Sequence, residues 1–123
     1  MHIRTISENS LIIARVESHE VLVTDVDSAL DLMASARYET GCNALIIDDT
    51  VLTPNFFKLR TQLAGEILQK FVTYSMHLAI VGDFSIYSSR SLQDFIRESN
   101  RAGTIIFVQN EQEAVKQLSH RFQ

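Results

Sequence analysis

The 123-residue chain has no tryptophan, one proline, one cysteine and four glycines, and each scarcity excludes something. A lone cysteine, Cys42, cannot close an intramolecular disulfide, so the fold must stand on its own core. A reducing compartment, and with it a cytoplasmic location, is expected. The only proline is Pro54, and the glycines, Gly41, Gly65, Gly82 and Gly103, are widely spaced. Neither glycine-rich phosphate loop, G-x-G-x-x-G or G-x-x-x-x-G-K-[ST], can be written on them. So few breakers, with no repeat and no low-complexity tract, predict a single domain over residues 1–123. No apolar run approaches the ~20 residues that cross a bilayer, and Met1–Thr5 lacks the apolar stretch of a signal peptide; no membrane partner is expected. Eleven Lys and Arg against fifteen Asp and Glu leave a formal charge of −4, which argues against nucleic acid held by counterion release. His2, His19, His77 and His120 are scattered without an i, i+4 pair, so neither a metal nor a cofactor is expected. Asp25-x-Asp27 lacks the glycine and distal glutamate of a calcium loop and reads as acids in a helix's first turn.

What is present is apolar material, 46% of the chain, distributed in strand-length runs that alternate with helical patterns. His2–Ile6 and Ser10–Val16 flank the turn residues Glu8-Asn9 and predict an N-terminal antiparallel hairpin. Glu20–Val23 either extends the second strand or forms its own. Ala44–Ile47, Leu78–Val81 and Thr104–Val108 are apolar without alternation, as parallel strands covered on both faces should be, and are expected as inner strands. Four helices have legible ends. The first runs from Thr24-Asp25 to Thr40-Gly41, with Gly41 past its C-terminus. The second has Thr53 as cap and Pro54 at its first position and runs to about Tyr74. The third runs from the serines at 88–91 to just before Gly103. The fourth opens on Asn110 and Glu113 at capping-box spacing and runs to the C-terminus. The expected fold is α/β: a five- to six-stranded, mostly parallel mixed sheet with four helices.

Such a sheet binds ligands beyond the carboxyl ends of its strands, where helix N-termini also attract anions. The candidate ligand-binding residues on that rim are Asp48, Asp83, Ser85, Ser88 and Ser89, joined by Arg60. On a continuous helical wheel Arg60 falls in the apolar face of the second helix, among Phe56, Leu63, Ile67 and Phe71. A guanidinium cannot lie there unpaired, so it is expected to reach the rim and pair with an aspartate, most plausibly Asp83. On the same wheel Leu59, Leu63, Ile67 and Phe71 make one stripe, and Phe57, Ala64, Leu68 and Val72 make a second. The second stripe is a candidate homodimer interface unless a helix of the same chain covers it, and Gly65 within it suggests a close backbone approach. Arg90, Arg97 and Arg101 share a face of the third helix with Asp94 and Glu98, and read as a solvated face laced with weak ion pairs.

The element order is similar to the STAS-like fold of anti-sigma-factor antagonists, whose phosphoacceptor serine sits in an Asp-Ser-Ser-Gly turn before the second helix. The corresponding stretch, Asp49-Thr50-Val51-Leu52-Thr53-Pro54-Asn55, has no such serine, so that switch is not carried over. A closer resemblance rests on three segments: Phe56–Lys70 (F-F-K-L-R-T-Q-L-A-G-E-I-L-Q-K), Leu78–Ser85 (L-A-I-V-G-D-F-S) and Asp94–Asn100 (D-F-I-R-E-S-N). In these the chain resembles the bacterial family called domain of unknown function 4180. The resemblance implies a fold and carries no catalytic residue.

No nucleophile–base pair is apparent, and no catalytic residue is assigned. Three readings stay open: a non-catalytic regulatory or protein-interaction module, the first choice, with a homo-oligomer as one form of it; a small-molecule or anion-binding domain using the rim; and an enzyme of unrecognised type with an acid such as Asp48 or Asp83 as base. Fold alone does not choose among them.

Overall fold

The structure, a computed structural model, describes residues 1–121. The strands are β1 (His2–Glu8), β2 (Leu11–Glu17), β3 (Ala44–Asp48), β4 (His77–Val81) and β5 (Ile105–Val108). The helices are α1 (Val26–Thr40), α2 (Leu63–Thr73), α3 (Arg90–Ala102) and α4 (Glu111–Arg121). The strands form one mixed sheet in the order β1-β2-β3-β4-β5, with β1 antiparallel to β2 and every later pair parallel. A crossover between neighbouring parallel strands is right-handed, so each helical connection returns over the same face. Accordingly α1, α2 and α3 pack together on one side, over Ala14, Val16, Leu45, Ile47, Leu78, Ile80, Ile105 and Phe107. Among the described residues the other side belongs to α4 alone, whose Ala114 and Leu118 cover Ile13, Ala44, Ile46, Ala79, Ile106 and Val108.

Both ends of α1 and α3 and the start of α4 behave as their sequences dictate. Asp25 caps α1 by accepting from Ser28 N, and Ser28 Oγ accepts from the Asp25 backbone in return. Gly41 closes the helix at φ 69°, a left-handed conformation that costs glycine little. Ser89 caps α3 and Gly103 ends it at φ 89°. Asn110 Oδ1 accepts from Glu113 N at 2.8 Å, as its spacing predicted. The expected run of the last helix to the C-terminus extends onto residues 122–123, outside the described residues.

Three expectations are corrected. The first is lateral: β5 is an edge strand, not an inner one. All four of its residues are buried because α3 and α4 cover its two faces, and continuous apolarity reports coverage of faces, not the presence of a neighbour on each side. Its open backbone is met by side chains instead. Asn100 on α3 accepts from Phe107 N (2.7 Å) and donates to Phe107 O (3.4 Å), while Ser99 donates to Ile105 O (2.6 Å). The amide of Asn100 thus stands in for a sixth strand. Glu20–Val23 supplies none: only Val23 bridges, in parallel, to Leu52.

The second correction concerns the helix expected from Pro54 to Tyr74. The chain there makes two 3₁₀ turns, Pro54–Phe57 and Leu59–Thr61, and turns sharply at Gln62 (φ 63°, ψ 3°) before α2 begins. Thr61 Oγ1 donates to Asn55 O (2.9 Å) and Lys58 O (2.8 Å), and such local bonds compete with helix continuation. Thr53 makes no side-chain cap. A wheel drawn across Gln62 therefore misplaces everything before it.

The third correction concerns the second stripe, of which only Phe57 precedes the break. Phe57 is buried and stacked on Tyr87 (ring centroids 5.1 Å apart, planes at 17°), and Ala64 is buried in the same core. Leu68 is half-buried against that core, and Val72 alone of the four is exposed. The second stripe is thus divided, with α1 packed against α2 within the chain. A Cβ built on Gly65 meets nothing within 4 Å, so among the described residues no neighbouring element closes on that glycine.

Candidate functional site

At the carboxyl rim, β2 ends on Glu17, β3 on Asp48, β4 leads through Gly82 to Asp83, and β5 leads through Asn110 into α4. The dominant feature on the α4 side is an ion network centred on Arg15, a residue not singled out from sequence. Arg15 projects from β2 on the face of Leu11 and Ile13 and is only 7% exposed. Its Nε donates to Glu111 Oε1 at 2.8 Å and a terminal nitrogen donates to Asp48 Oδ1 at 3.0 Å. The other terminal nitrogen reaches Ile46 O at 3.4 Å. Arg4, opposite Arg15 in the antiparallel register, donates to the same Glu111 oxygen at 2.7 Å and to Glu17 at 3.5 Å. Glu111 is the first residue of α4, so the network pins that helix's N-terminus to the sheet. The bond from Arg4, seconded by Arg15 and opposed by burial, holds the Glu111 carboxyl below the usual carboxylate range. The same bond raises Arg4. A charged residue inside L-I-I-A-R-V was the signal that could have revealed this site, because a cation on a buried strand must find acids, and Asp48 ends the neighbouring strand.

The predicted rim residues are placed as follows. Asp48 does sit at the rim, but its partner is Arg15. Asp83 accepts from Ser85 N (3.1 Å) and from Ser85 Oγ (2.5 Å), fixing the turn at Phe84–Ile86. Ser89 accepts from Leu92 N as the α3 cap, and Ser88 is exposed. Arg60 is exposed on its 3₁₀ turn and makes no ion pair among the described residues. Its expected burial and pairing with Asp83 are corrected, because the break at Gln62 takes it off the apolar face. Between β3 and β4, a Cβ on Gly82 would lie 2.7 Å from both Cγ and Oδ2 of Asp49; this glycine makes room for a carboxylate. Asp49 adds to the effect of burial in raising the Tyr87 hydroxyl. On α3, Arg97 pairs with Asp94 (2.9 Å) and Arg101 with Glu98 (3.3 Å), all exposed, a face that contributes little to stability.

A second feature lies beside the network. Because α4 covers β3 to β5, a groove of about 1030 Å³ opens between it and β1, lined by Arg4, Ile6 and Glu8 on one wall and Val115, Lys116 and His120 on the other.

A family model described as Domain of unknown function (DUF4180) matches residues 8–118. The chain belongs to that family. No curated protein and no solved structure matches it. The DUF4180 match takes in Arg15, Asp48 and Glu111 together with β2 to β5, and begins where β1 ends. Among the described residues no helix is long and apolar enough to cross a membrane.

Proposed function

We propose that the chain is a non-catalytic protein-interaction module whose contact surface is the open edge of β1 with the adjoining groove. The observation that carries this reading is the unequal treatment of the two sheet edges. Exposed strand edges invite pairing, and folds that must stay single protect them. Here β5 is closed by Asn100 and Ser99, whereas among the described residues no side chain meets the open backbone of β1. The rim supports a ligand site less well, since Asp48, Asp83, Ser85, Ser89, Arg15 and Glu111 are each engaged within the chain.

A photo-crosslinking residue placed at Ser7, on the β1 edge, tests it in living cells. We expect a discrete adduct that Thr5→Pro abolishes, and no adduct from the same residue at Arg90 on the exposed face of α3. Absence of an adduct at Ser7 overturns the reading. A thermal shift with nucleotides or small anions that is lost in Asp83→Ala would move the function to the rim.

A further inference from the structure

The backbone of β1 states which of its groups are unpaired. Asn43 N donates to Ile12 O at 3.1 Å, so Ile12, Ala14 and Val16 turn their peptide groups toward β3. By alternation Leu11, Ile13, Arg15 and Glu17 turn theirs toward β1. The register pairs these with Glu8, Ile6, Arg4 and His2. The remaining β1 residues, Ile3, Thr5 and Ser7, therefore point their N–H and C=O groups off the sheet. Side chains alternate in step: Ile3 packs toward the three-helix face, and Arg4, Ile6 and Glu8 line the groove beside α4.

Resting on the interaction reading above, we infer that the occupant of this edge is a second copy of the chain, added antiparallel about a two-fold axis through Ile6. Outward groups can face outward groups only if the axis passes through a residue, which leaves few registers. An axis through Arg4 sets Arg4 against Arg4, a like-charge pair that is destabilising. An axis through Thr5 sets Arg4 against Ile6. An axis through Ile6 sets Arg4 opposite Glu8 of the partner subunit, and Glu8 opposite the partner's Arg4, with the two Ile6 side chains in contact between them. Thr5 and Ser7 then exchange backbone hydrogen bonds across the junction. The charges are available for this. Glu8 is exposed and has no ion pair among the described residues, and Arg4 makes three bonds with its five N–H donors. An axis perpendicular to the sheet places both α4 helices on one face, so the two grooves join over the paired Ile6 residues. The result is a continuous ten-stranded sheet whose two outer edges are both β5, each closed by its own Asn100. This gives the Asn100 contact a purpose, since without it the same chain would extend into open-ended assemblies.

Sedimentation of the purified chain is expected to show a concentration-dependent species of twice the 13.9 kDa chain mass. Opposed residues at a non-hydrogen-bonded position have Cα atoms about 4.5 Å apart, within the disulfide range, and the natural Cys42 is buried. Mild oxidation should therefore convert Ile6→Cys, and not Thr5→Cys, to a covalent dimer. Glu8→Arg should abolish the dimer with an unchanged circular dichroism spectrum. Thr5→Pro should do the same, since its N–H is not in the intramolecular ladder. A wild-type chain that sediments at the monomer mass throughout, with Ile6→Cys failing to cross-link, overturns the inference. A dimer that survives Glu8→Arg and Thr5→Pro overturns it as well, because another face then holds the copies. The Ser7 adduct separates this failure from the broader one: a monomer whose Ser7 probe captures a different protein retains the interaction reading and loses self-pairing.

Discussion

Removing the acid at the centre of the rim network should destabilise the protein more than removing the buried base. Glu111→Gln preserves shape but takes the charge from the oxygen that receives both Arg4 (2.7 Å) and Arg15 (2.8 Å). Hydrogen bonds to charged groups contribute about 1.5–3 kcal/mol against about 1 for neutral ones. Two such bonds are weakened, and the Glu111 side chain is 35% exposed, so solvent screening lowers the sum; we expect a loss of about 2 kcal/mol. Arg15 is left only 7% exposed with a single acid, Asp48. In Arg15→Met the apolar stem volume is kept, the desolvated cation is gone, and the stranded carboxylates reach water, with Glu111 still holding Arg4. That loss should be about 1 kcal/mol or less. Urea denaturation of both single variants and the double variant measures this directly. The double should be less destabilised than the sum by at least about 0.5 kcal/mol, since both act on one contact. The acid side supplies a second readout. Folding lowers the Glu111 pKa below its ordinary 4.5, so the unfolded chain binds that proton more readily. The contribution is present above pH 4.5 and is lost as pH falls through the folded value. Wild type and Glu111→Gln should therefore converge in stability as the solution is acidified below that window. An Arg15→Met loss larger than that of Glu111→Gln, or a gap that stays constant into acid, would refute this account of the network.

Other substitutions probe the fold around it. Gly82→Ala should cost about 1–3 kcal/mol by driving a Cβ into the Asp49 carboxylate, and Asp49→Ala in the same chain should restore most of the loss in a thermal melt. Gly65→Ala, in a helix and facing open space, should stabilise by about 0.5–1 kcal/mol, read as a higher urea midpoint. Asn100→Leu removes the amide that pairs Phe107 N and O. It should destabilise by about 1–3 kcal/mol and, by baring the β5 edge, produce assemblies larger than a dimer in light scattering.

The parts of the fold that were legible in the sequence are those decided by local chemistry. Asp25, Ser89 and Asn110 cap helices because their side chains meet backbone donors within three residues, and Gly41 and Gly103 end helices because the left-handed region favours glycine. The apolar runs located every strand after the hairpin. What misled the reading was local too: Thr53-Pro54 looks like a helix start, and nothing in K-L-R-T-Q announces that Thr61 will bond back to Asn55 O and turn the chain at Gln62. The placements of Arg60 and Phe57 inherited the error, whereas Leu63, Ile67 and Phe71, all beyond Gln62, share the core-facing side of α2 as the wheel has them. Arg15 failed to register for a different reason. Its acids are 33 and 96 residues away in sequence, and only the sheet order brings them together.

The position of the interaction surface follows from that order. Five neighbouring strands at about 4.8 Å spacing span some 19 Å, while one helix is about 10 Å across. Three helices returning over one face bury the inward residues of β3, β4 and β5 and Ala14 and Val16 of β2. Among the described residues the opposite face receives only α4, and a single helix cannot span five strands, so some part of that face has to remain open. It opens at β1 because β5 leads into α4 through only two residues, Gln109 and Asn110, which keeps the helix on the β5 side. Arg15 and Arg4 then hold its N-terminus no further out than Glu111 can reach. The uncovered part is β1, where Ile6 is half-buried at the groove's wall, while Leu11 and Ile13 of β2 are buried. A second β1 strand laid against the first would bring a second Ile6 to that wall, along the one edge of the sheet that Asn100 does not close.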